Sequence, residues 1–344
     1  MPLANAQDYP IWGNALIFLV AAVLVWSAGS RLARYTDGIA ERTGMNQAFA
    51  GMLLLGVVTS LPEVANVITA SATNNPALAV NNLLGSAAIN VVLLAVVDAF
   101  VGRGAITALT AKPSTLMMAT LCMIVLIAVA AAVTTGDVPV FGVGVWGIAL
   151  CTVSIGGFWI SAGYDERSRW AIKDGAEEPE DGQDEAPPPL ASLAVRSAAA
   201  GAAIFVAGYA LSQSGDALAA QTGIGTGLVG FALIGLATSM PELSSIVTAL
   251  RIRRYEMAFG QVLGTNFVNL SLILLADAVF AGGPVINELG VFETVSALLG
   301  AVLIGVYLVG LLEHRDKTIW KMGYDSFAVL LLFGGGLALL YAVQ

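Results

Sequence analysis

The sequence predicts an all-α polytopic membrane protein, with ten transmembrane helices in two inverted five-helix repeats and with helices 2 and 7 broken at the bilayer midplane. The 344-residue chain is 57% hydrophobic and only 11% charged, whereas a soluble domain carries about 25% charged residues. Apolar runs of about 20 residues, the length that crosses a hydrocarbon core, recur along the chain. One segment is also duplicated, because residues 59–63 (TSLPE) return as residues 238–242 (TSMPE).

The apolar runs define ten spans joined by mostly short connections. The predicted spans are residues 11–33, 46–73, 76–101, 113–134, 138–161, 190–214, 226–250, 256–279, 288–311 and 323–343. The chain then divides into a first half (1–162), an acidic hydrophilic linker (163–189) and a second half (190–344). The duplicated regions cover about 46–101 in the first half and about 226–279 in the second.

The basic residues predict the orientation of these spans. All 15 Lys and Arg residues fall on one side of the ten-span layout, while the opposite loops carry Asp8, Asp137, Asp216 and Glu288 but no Lys or Arg. Because basic residues accumulate on the cytoplasmic side, both termini are predicted to lie outside and the 163–189 loop in the cytoplasm. The predicted location is the cell (inner) membrane.

The duplication keeps one constant spacing. Four residue pairs are 179 positions apart: Glu63 and Glu242, Gly85 and Gly264, Asn90 and Asn269, and Asp98 and Asp277. Since each half holds an odd number of predicted spans, the second half enters the membrane upside down relative to the first. Inverted repeats whose interrupted helices meet at the midplane are a recurring transporter architecture.

The two glutamates are the strongest candidates for a functional site. Glu63 and Glu242 lie well inside apolar spans, where an ionisable residue costs about 3 kcal/mol. Pro62 removes a backbone donor and frees carbonyls about one turn upstream, near Thr59 and Gly56. On a continuous helix, Thr59, Ser60 and Glu63 would share nearly one face. Freed carbonyls at this depth must face protein or a wet cavity, so a bound cation is their expected partner.

The following span supplies further oxygen ligands. Ser86 and Asn90 are four positions apart and share a helical face, as do Thr265 and Asn269 in the second half. An all-oxygen set suits hard cations such as Na⁺ and Ca²⁺. Taken singly, such polar residues are more often interhelical hydrogen-bond partners. The span-end acids Asp98 and Asp277 are compatible with either helix capping or ion access.

Other classes of function fit the sequence less well. The acidic loop and negative net charge argue against nucleic-acid binding. Cys122 and Cys151 lie in apolar spans, and His314 is the only histidine, which disfavours a zinc site. A nucleophile–base arrangement for an intramembrane hydrolase is lacking, so we expect a transporter rather than an enzyme, with no cofactor. The oligomeric state stays open, and a monomer is compatible with the sequence.

Two pairs of segments resemble the signatures of a known family. Residues 56–63 and 235–242 resemble the two α-repeat signatures of the sodium/calcium exchanger family, within the cation/Ca²⁺ antiporter superfamily, and residues 85–90 and 264–269 resemble its second signature element. The chain is therefore identified as a prokaryotic member. The resemblance implies Na⁺/Ca²⁺ exchange by alternating access, in which spans one and six slide over a fixed core.

The resemblance also implies individual roles. The implied ligands are Glu63 and Glu242 as central ligands shared by Ca²⁺ and Na⁺, Thr59 and Thr238 as carbonyl donors to Ca²⁺, Ser60, Ser239, Ser86 and Thr265 at flanking Na⁺ positions, and Asn90 and Asn269 beside the central pair.

Three departures from the family pattern stand out. Val58 and Ala237 replace a common glycine, which is expected to tighten the pocket, and Ala87 costs the first half one polar group. Asn269 replaces an aspartate of K⁺-dependent members, which predicts K⁺-independent exchange.

Two alternatives remain at this stage. A cation/H⁺ antiporter on the same scaffold would use the buried glutamates to carry protons instead of Na⁺. A passive channel would need no strict coupling between the two fluxes.

Overall fold

Almost all of the chain that can be described is helical. The computed structural model describes residues 8–101, 105–110, 112–162, 164–168, 188–222, 239–313, 317–320 and 322–343. Its α-helices are α1 (Ile11–Thr43), α2 (Gln47–Ala50), α3 (Val57–Thr59), α4 (Leu61–Ala72), α5 (Pro76–Val101), α6 (Pro113–Thr135), α7 (Val145–Ser161), α8 (Tyr164–Arg167), α9 (Leu190–Thr222), α10 (Met240–Arg251), α11 (Tyr255–Val279), α12 (Val291–Glu313) and α13 (Tyr324–Val343). A π-helical turn (Gly51–Gly56) joins α2 to α3.

Short non-α elements follow the same layout in both halves. Two antiparallel ribbons pair β1 (Pro139–Val140) with β2 (Val143–Gly144) and β3 (Thr318–Ile319) with β4 (Met322–Gly323). Single 3₁₀ turns cover Ile106–Leu109 and Val285–Glu288.

The helix lengths confirm a polytopic helical membrane protein. Within the described ranges, seven helices are long and apolar enough to span a membrane, or eight if α2–α3 and α4, bent by 42°, form one span. That bend confirms the predicted break in helix 2. The count of ten stays a prediction, because α7 has only 17 residues and residues 226–238 of the seventh predicted span lie outside the described residues. Helices α1 and α9 have 33 residues each and extend past their predicted ends.

The 179-residue repeat is visible in the backbone. Helices α4 and α10, and helices α5 and α11, begin 179 positions apart. Left-handed backbone at non-glycine residues, which is uncommon, recurs at the same spacing: Asn74 (φ 57°) with Arg253 (φ 61°), and Phe141 (φ 51°) with Trp320 (φ 48°). The duplication therefore includes the turns, and its two copies share one fold.

Helices α5 and α11 form the centre of the molecule. Their most apolar segments are 78% and 61% buried, against 28% for α1 and α9 and 17% for α13. A helix that is apolar all round belongs in the interior. Helices α1 and α9 pack chiefly against each other at the periphery, which is where the family resemblance places the two sliding helices.

Glycines bring the broken helix against α11. A Cβ atom on Gly56 would lie 2.8 Å from the backbone nitrogen of Thr265, and one on Gly264 would lie 2.6 Å from the Cα atom of Met52. Real Cβ atoms do not approach backbone this closely, so only glycine permits the contact. The predicted close approach at Gly264 is thus confirmed, and it places residues 56–60 beside residues 264–265. The matching role of Gly85 stays a prediction.

Two buried aspartates fasten the halves together. Asp98 accepts a hydrogen bond at Oδ2 from the Gly323 N–H (2.8 Å). Asp277 accepts one at Oδ2 from the Gly144 N–H (3.0 Å) and one at Oδ1 from the Val285 N–H (2.5 Å). Each aspartate thus holds the β-ribbon of the other half. These backbone contacts favour a structural role over ion access.

Candidate cation site

The duplicated motif forms two helix beginnings. Ser60 (φ −80°, ψ 1°) and Ser239 (φ −85°, ψ 9°) depart from helical geometry, and α4 and α10 start at the next residue. Proline is tolerated in the first turn of each, because its missing N–H needs no partner there. Glu63 and Glu242 occupy the third helical position, where the positive end of the helix dipole favours a negative charge.

This arrangement replaces part of the sequence interpretation. Thr59 is the last residue of α3 and Glu63 belongs to the first turn of α4. The chain turns at Ser60, so Thr59, Ser60 and Glu63 do not belong to one continuous helix, and their shared face stays a prediction. Thr238, Gly235 and Ala237 lie outside the described residues.

Both glutamates are buried without a cationic side chain. Glu63 is 1% exposed and Glu242 is 0% exposed. Neither takes part in an ion pair within the described residues, where Lys112 and Arg254 are the cations that do. The two carboxylates interact electrostatically with each other, and the Thr59 side chain lies close to Glu242. The two acids, one from each half, thus lie in the same buried region, where two like charges repel unless a cation lies between them.

The hydroxyls around the acids donate mostly to backbone. Thr59 Oγ1 donates to the Leu55 carbonyl (2.9 Å) and Ser60 Oγ donates to the Gly56 carbonyl (2.7 Å). Because their protons are directed upstream, the hydroxyl lone pairs stay available to a cation. Ser86 is the exception, since its Oγ donates to Glu63 Oε1 (3.2 Å).

Several candidate ligands carry buried polar atoms without a described partner. Within the described residues, the buried atoms without a hydrogen-bond partner include Glu63 Oε2, both Glu242 carboxylate oxygens, Ser239 Oγ, and both amide atoms of Asn90 and of Asn269. Each such group costs about 1–3 kcal/mol when left unsatisfied. Asn90 is one helical turn beyond Ser86, which contacts Glu63, so the α5 face toward the acid is polar. This donor set is oxygen-rich and fits a hard, dehydrated cation.

A family comparison agrees with the architecture. The model of the sodium/calcium exchanger protein family matches residues 13–162 and 192–344. The chain belongs to this family. It is a membrane antiporter of the cation/Ca²⁺ class, not an enzyme.

Relatives of this exchanger-family chain include an uncharacterised membrane protein and a sodium/calcium exchanger. An uncharacterised membrane protein of Methanocaldococcus jannaschii is 24% identical over 283 residues, which cover 82% of this chain and 87% of the relative. The sodium/calcium exchanger MaX1 of Methanosarcina acetivorans is 27% identical over 135 residues, 38% of each chain. A solved structure of the sodium–calcium exchanger NCX_Mj matches with a TM-score of 0.69 at 18% identity, covering 96% of this chain and 99% of that chain, and shows the shared fold.

Asn266 is a site-adjacent residue to which sequence reasoning gave no role. Its Nδ2 donates to the Ala87 carbonyl (3.3 Å), and Ala87 is its own counterpart in the other half of the exchanger, 179 positions away. Thr265 Oγ1 similarly reaches the Gly56 carbonyl at 3.5 Å. These bonds tie α11 to α5 and to the broken helix. The signal in the sequence was the missing amide at Ala87, which makes the pair asymmetric.

The equivalent polar residues Gln261 and Asn82 have different surroundings. Gln261 is buried and its Nε2 donates to Ser245 Oγ (2.6 Å), whereas Asn82 is half-buried. Val58, expected to tighten the pocket, lies against α9 instead, 3.0 Å from the position of a Cβ on Gly201.

Proposed function

We propose that this protein exchanges Na⁺ for Ca²⁺ across the membrane by alternating access. The observation that carries the proposal is the pair of buried carboxylates, Glu63 and Glu242, one from each half, with no cationic side chain beside them among the described residues. Two negative charges match one Ca²⁺ and can hold several Na⁺ among the surrounding oxygens.

The ligands would divide by position. Glu63 and Glu242 would coordinate both ions centrally, and the Thr59 and Thr238 carbonyls would complete the Ca²⁺ shell. Ser60, Ser86, Ser239 and Thr265 would form flanking Na⁺ positions, with Asn90 and Asn269 beside the acids. Asn269 is 0% exposed and its amide has no described partner. A neutral amide adds no charge for a further cation, which supports K⁺-independent exchange.

Coupling would follow from overlap of the sites. Ca²⁺ and Na⁺ would compete for the same carboxylates, so they would exclude each other. Without a cation the buried acids would stay unpaired, which is strongly unfavourable in a low-dielectric interior. That penalty would hinder the empty protein from changing conformation and would therefore enforce exchange. A passive channel would lack this coupling.

The moving elements would be α1 and α9. Gly29 of α1 lies on the second motif, where its Cβ position is 2.9 Å from the Pro241 carbonyl, and Gly208 of α9 lies on the first, 2.6 Å from Pro62 Cγ. The two glycines are themselves 179 positions apart. The peripheral pair thus crosses the core one residue away from each glutamate, the level at which sliding would switch access.

The membrane placement follows the basic residues. We propose the cell (inner) membrane, both termini outside, the 163–189 loop in the cytoplasm, and no cofactor or nucleic-acid partner, with the oligomeric state left open. Na⁺ and Ca²⁺ are the transported substrates.

The proton is the alternative coupling ion, because the Glu242 carboxylate oxygens have no described partner and would be a site for it. Ca²⁺ uptake into proteoliposomes driven by an outward Na⁺ gradient at equal pH should exceed uptake driven by a pH gradient without Na⁺. Glu63→Gln should abolish uptake. Glu293→Gln changes a buried glutamate in the first turn of α12, whose Oε2 accepts a hydrogen bond from the Gly290 N–H (2.7 Å), and it should leave uptake unchanged. Equal uptake with a pH gradient alone would assign H⁺ instead of Na⁺ as the coupling ion. Uptake that survives in Glu63→Gln would refute the cation site at this glutamate.

A further inference from the structure

A groove between α1 and α10 is unusually basic. It has a volume of about 610 Å³ and is lined by the part of α1 between Ala22 and Arg34 and by both ends of α10. Arg31 and Arg34, three positions apart on α1, share one helical face. Arg251, at the end of α10, faces them across the groove. Three positive charges therefore border one cavity.

These arginines have no acidic partner within the described residues. The nearby acids of α1 are already engaged, because Asp37 and Glu41 pair with Arg254 at 2.6 Å and 2.5 Å. Arg31, Arg34 and Arg251 are exposed and take part in no described ion pair. Three like charges around one groove repel one another. An anion bound among them would remove that repulsion.

The other end of the groove is apolar. Val23 is 68% exposed and Trp26 is 38% exposed, and both line the cavity. Val23 and Arg31 are eight positions apart, which is about 12 Å along a helix. The groove thus joins an apolar strip at membrane depth to a basic mouth at the side where headgroups of the cytoplasmic leaflet lie. Interhelical basic pockets on that side suit anionic lipid headgroups.

The inverted repeat supplies an internal control. The positions equivalent to Arg31, Arg34 and Arg251, 179 residues away, are Ala210, Gln213 and Ala72. The matching region between α9 and α4 therefore has no basic cluster. The arginine cluster is therefore confined to the predicted cytoplasmic end, where the leaflet carries anionic headgroups, and the bias of all 15 basic residues toward that side contributes to the difference.

We propose that this groove binds an anionic phospholipid, with its phosphate held by Arg31, Arg34 and Arg251 and an acyl chain along Val23 and Trp26. The charge and the apolar strip together favour a lipid over a small soluble anion, which would leave the strip uncovered. Because the ligand bridges α1 of the peripheral pair and α10 of the core, it stabilises the arrangement in which α1 covers α10. The inference does not depend on which ion is exchanged.

Native mass spectrometry of the purified full chain in neutral detergent tests the binding. Phosphatidylglycerol should bind, and phosphatidylcholine with the same acyl chains should not. The variant Arg31→Gln/Arg34→Gln/Arg251→Gln should bind phosphatidylglycerol on the order of 100-fold more weakly, since each basic residue near an anionic headgroup contributes about fivefold. Each single substitution should lose about fivefold, which keeps the test available if the triple variant folds poorly.

A matched variant separates a site from general attraction. Arg196→Gln/Arg253→Gln/Lys317→Gln removes the same charge from the same predicted side, outside the groove, and should bind the lipid as the native chain does. Equal loss of binding in both triple variants would overturn the site. Equal binding of phosphatidylcholine would show that the groove recognises acyl chains and not the anionic headgroup, and would overturn the proposal as well. Displacement of the lipid by glycerol phosphate at comparable concentration would assign the groove to soluble anions and overturn the lipid proposal.

Discussion

Helices α4 and α10 have the same motif, the same length and equivalent beginnings, yet their surroundings differ. Thr69 and Thr248 are equivalent, and each hydroxyl donates to the carbonyl four residues earlier at 2.8 Å. Thr69 is exposed while Thr248 is only 6% exposed. Ile68 is 42% exposed and its counterpart Val247 is 8% exposed. Identical local structure therefore sits in opposite environments.

The cause is the position of the peripheral pair. Helix α1 packs along α10 more extensively than α9 packs along α4, so the α10 end is covered and the α4 end is open. Glu63 itself is 1% exposed, so the opening stops short of the acids. With the predicted topology, the open end faces outside. The structure thus presents one of the two arrangements that an inverted repeat makes available.

The largest expected effect concerns the two acids, whose partners differ. Glu63 accepts a bond from Ser86 while both Glu242 oxygens lack a described partner. If they hold one cation together, Glu63→Gln and Glu242→Gln should each abolish Ca²⁺ binding by calorimetry. Each should also lose the stabilisation of about 2.7 kcal/mol that ligand at 100 times its Kd provides. In chelator, neither should melt below the native chain, because each relieves like-charge repulsion.

Ca²⁺ stabilisation of a variant with only one of the two acids would contradict a shared cation site. A variant in which one acid is replaced and Ca²⁺ still raises the melting temperature would mean that the acids act separately. Glu293→Gln serves as the control and should respond to Ca²⁺ as the native chain does.

The next effect concerns the aspartates that fasten the two ends. Asp98→Ala and Asp277→Ala should each lower the free energy of unfolding by about 2 kcal/mol, because hydrogen bonds from backbone N–H groups to a buried carboxylate are lost. Thermal melts in detergent would measure this loss, and Ca²⁺ affinity should be unchanged. Unchanged melting with altered Ca²⁺ affinity would instead assign these acids to ion access.

A third prediction tests the difference in exposure directly. In a background with Cys122→Ala and Cys151→Ala, Thr69→Cys should react with a soluble maleimide at least about tenfold faster than Thr248→Cys, corresponding to about 1.4 kcal/mol of local opening. Adding Gly29→Ala should narrow the ratio, because the new Cβ would lie 2.9 Å from the Pro241 carbonyl and would displace α1. Equal labelling rates of the two cysteines without Gly29→Ala would contradict the open and closed assignment.

The smallest effect compares equivalent hydroxyls on α5 and α11. Ser86 donates to Glu63 Oε1 at 3.2 Å, whereas Thr265 reaches only a carbonyl at 3.5 Å. Ser86→Ala should weaken Ca²⁺ binding by about 1 kcal/mol, roughly fivefold, and Thr265→Val by less. A larger loss for Thr265→Val would show that the two sides exchange roles when the ion binds.

Much of the fold was accessible from the sequence because membrane depth constrains composition so strongly. The span positions near 76–101 and 113–134 match α5 and α6 closely, since an apolar run must satisfy its backbone internally as helix. The break in helix 2 was predicted for a physical reason, the proline in residues 59–63. Its exact form was not, because a new helix begins at Leu61 with Pro62 in its first turn, whereas the sequence pattern predicts that Pro62 interrupts one continuous helix.

The site was predictable as a set of residues but not as a network. The burial of Glu63 and Glu242 follows from their place in apolar spans. The bonds of Ser86 to Glu63 and of Asn266 to Ala87 depend on how α5, α11 and the broken helix cross, which no spacing in one segment specifies. The basic groove was hidden for a similar reason, because Arg31, Arg34 and Arg251 belong to helices far apart in sequence.

The amino-acid order by itself determined the class of protein, the duplication and the acidic pair, because hydrophobicity, repeat spacing and charge cost are local properties of the chain. Only the tertiary structure decided that α1 covers α10 while α4 is open, and that Asp98 and Asp277 hold the opposite halves. The two halves have nearly equivalent local preferences, so their difference arises from which of two similar packings the peripheral helices occupy.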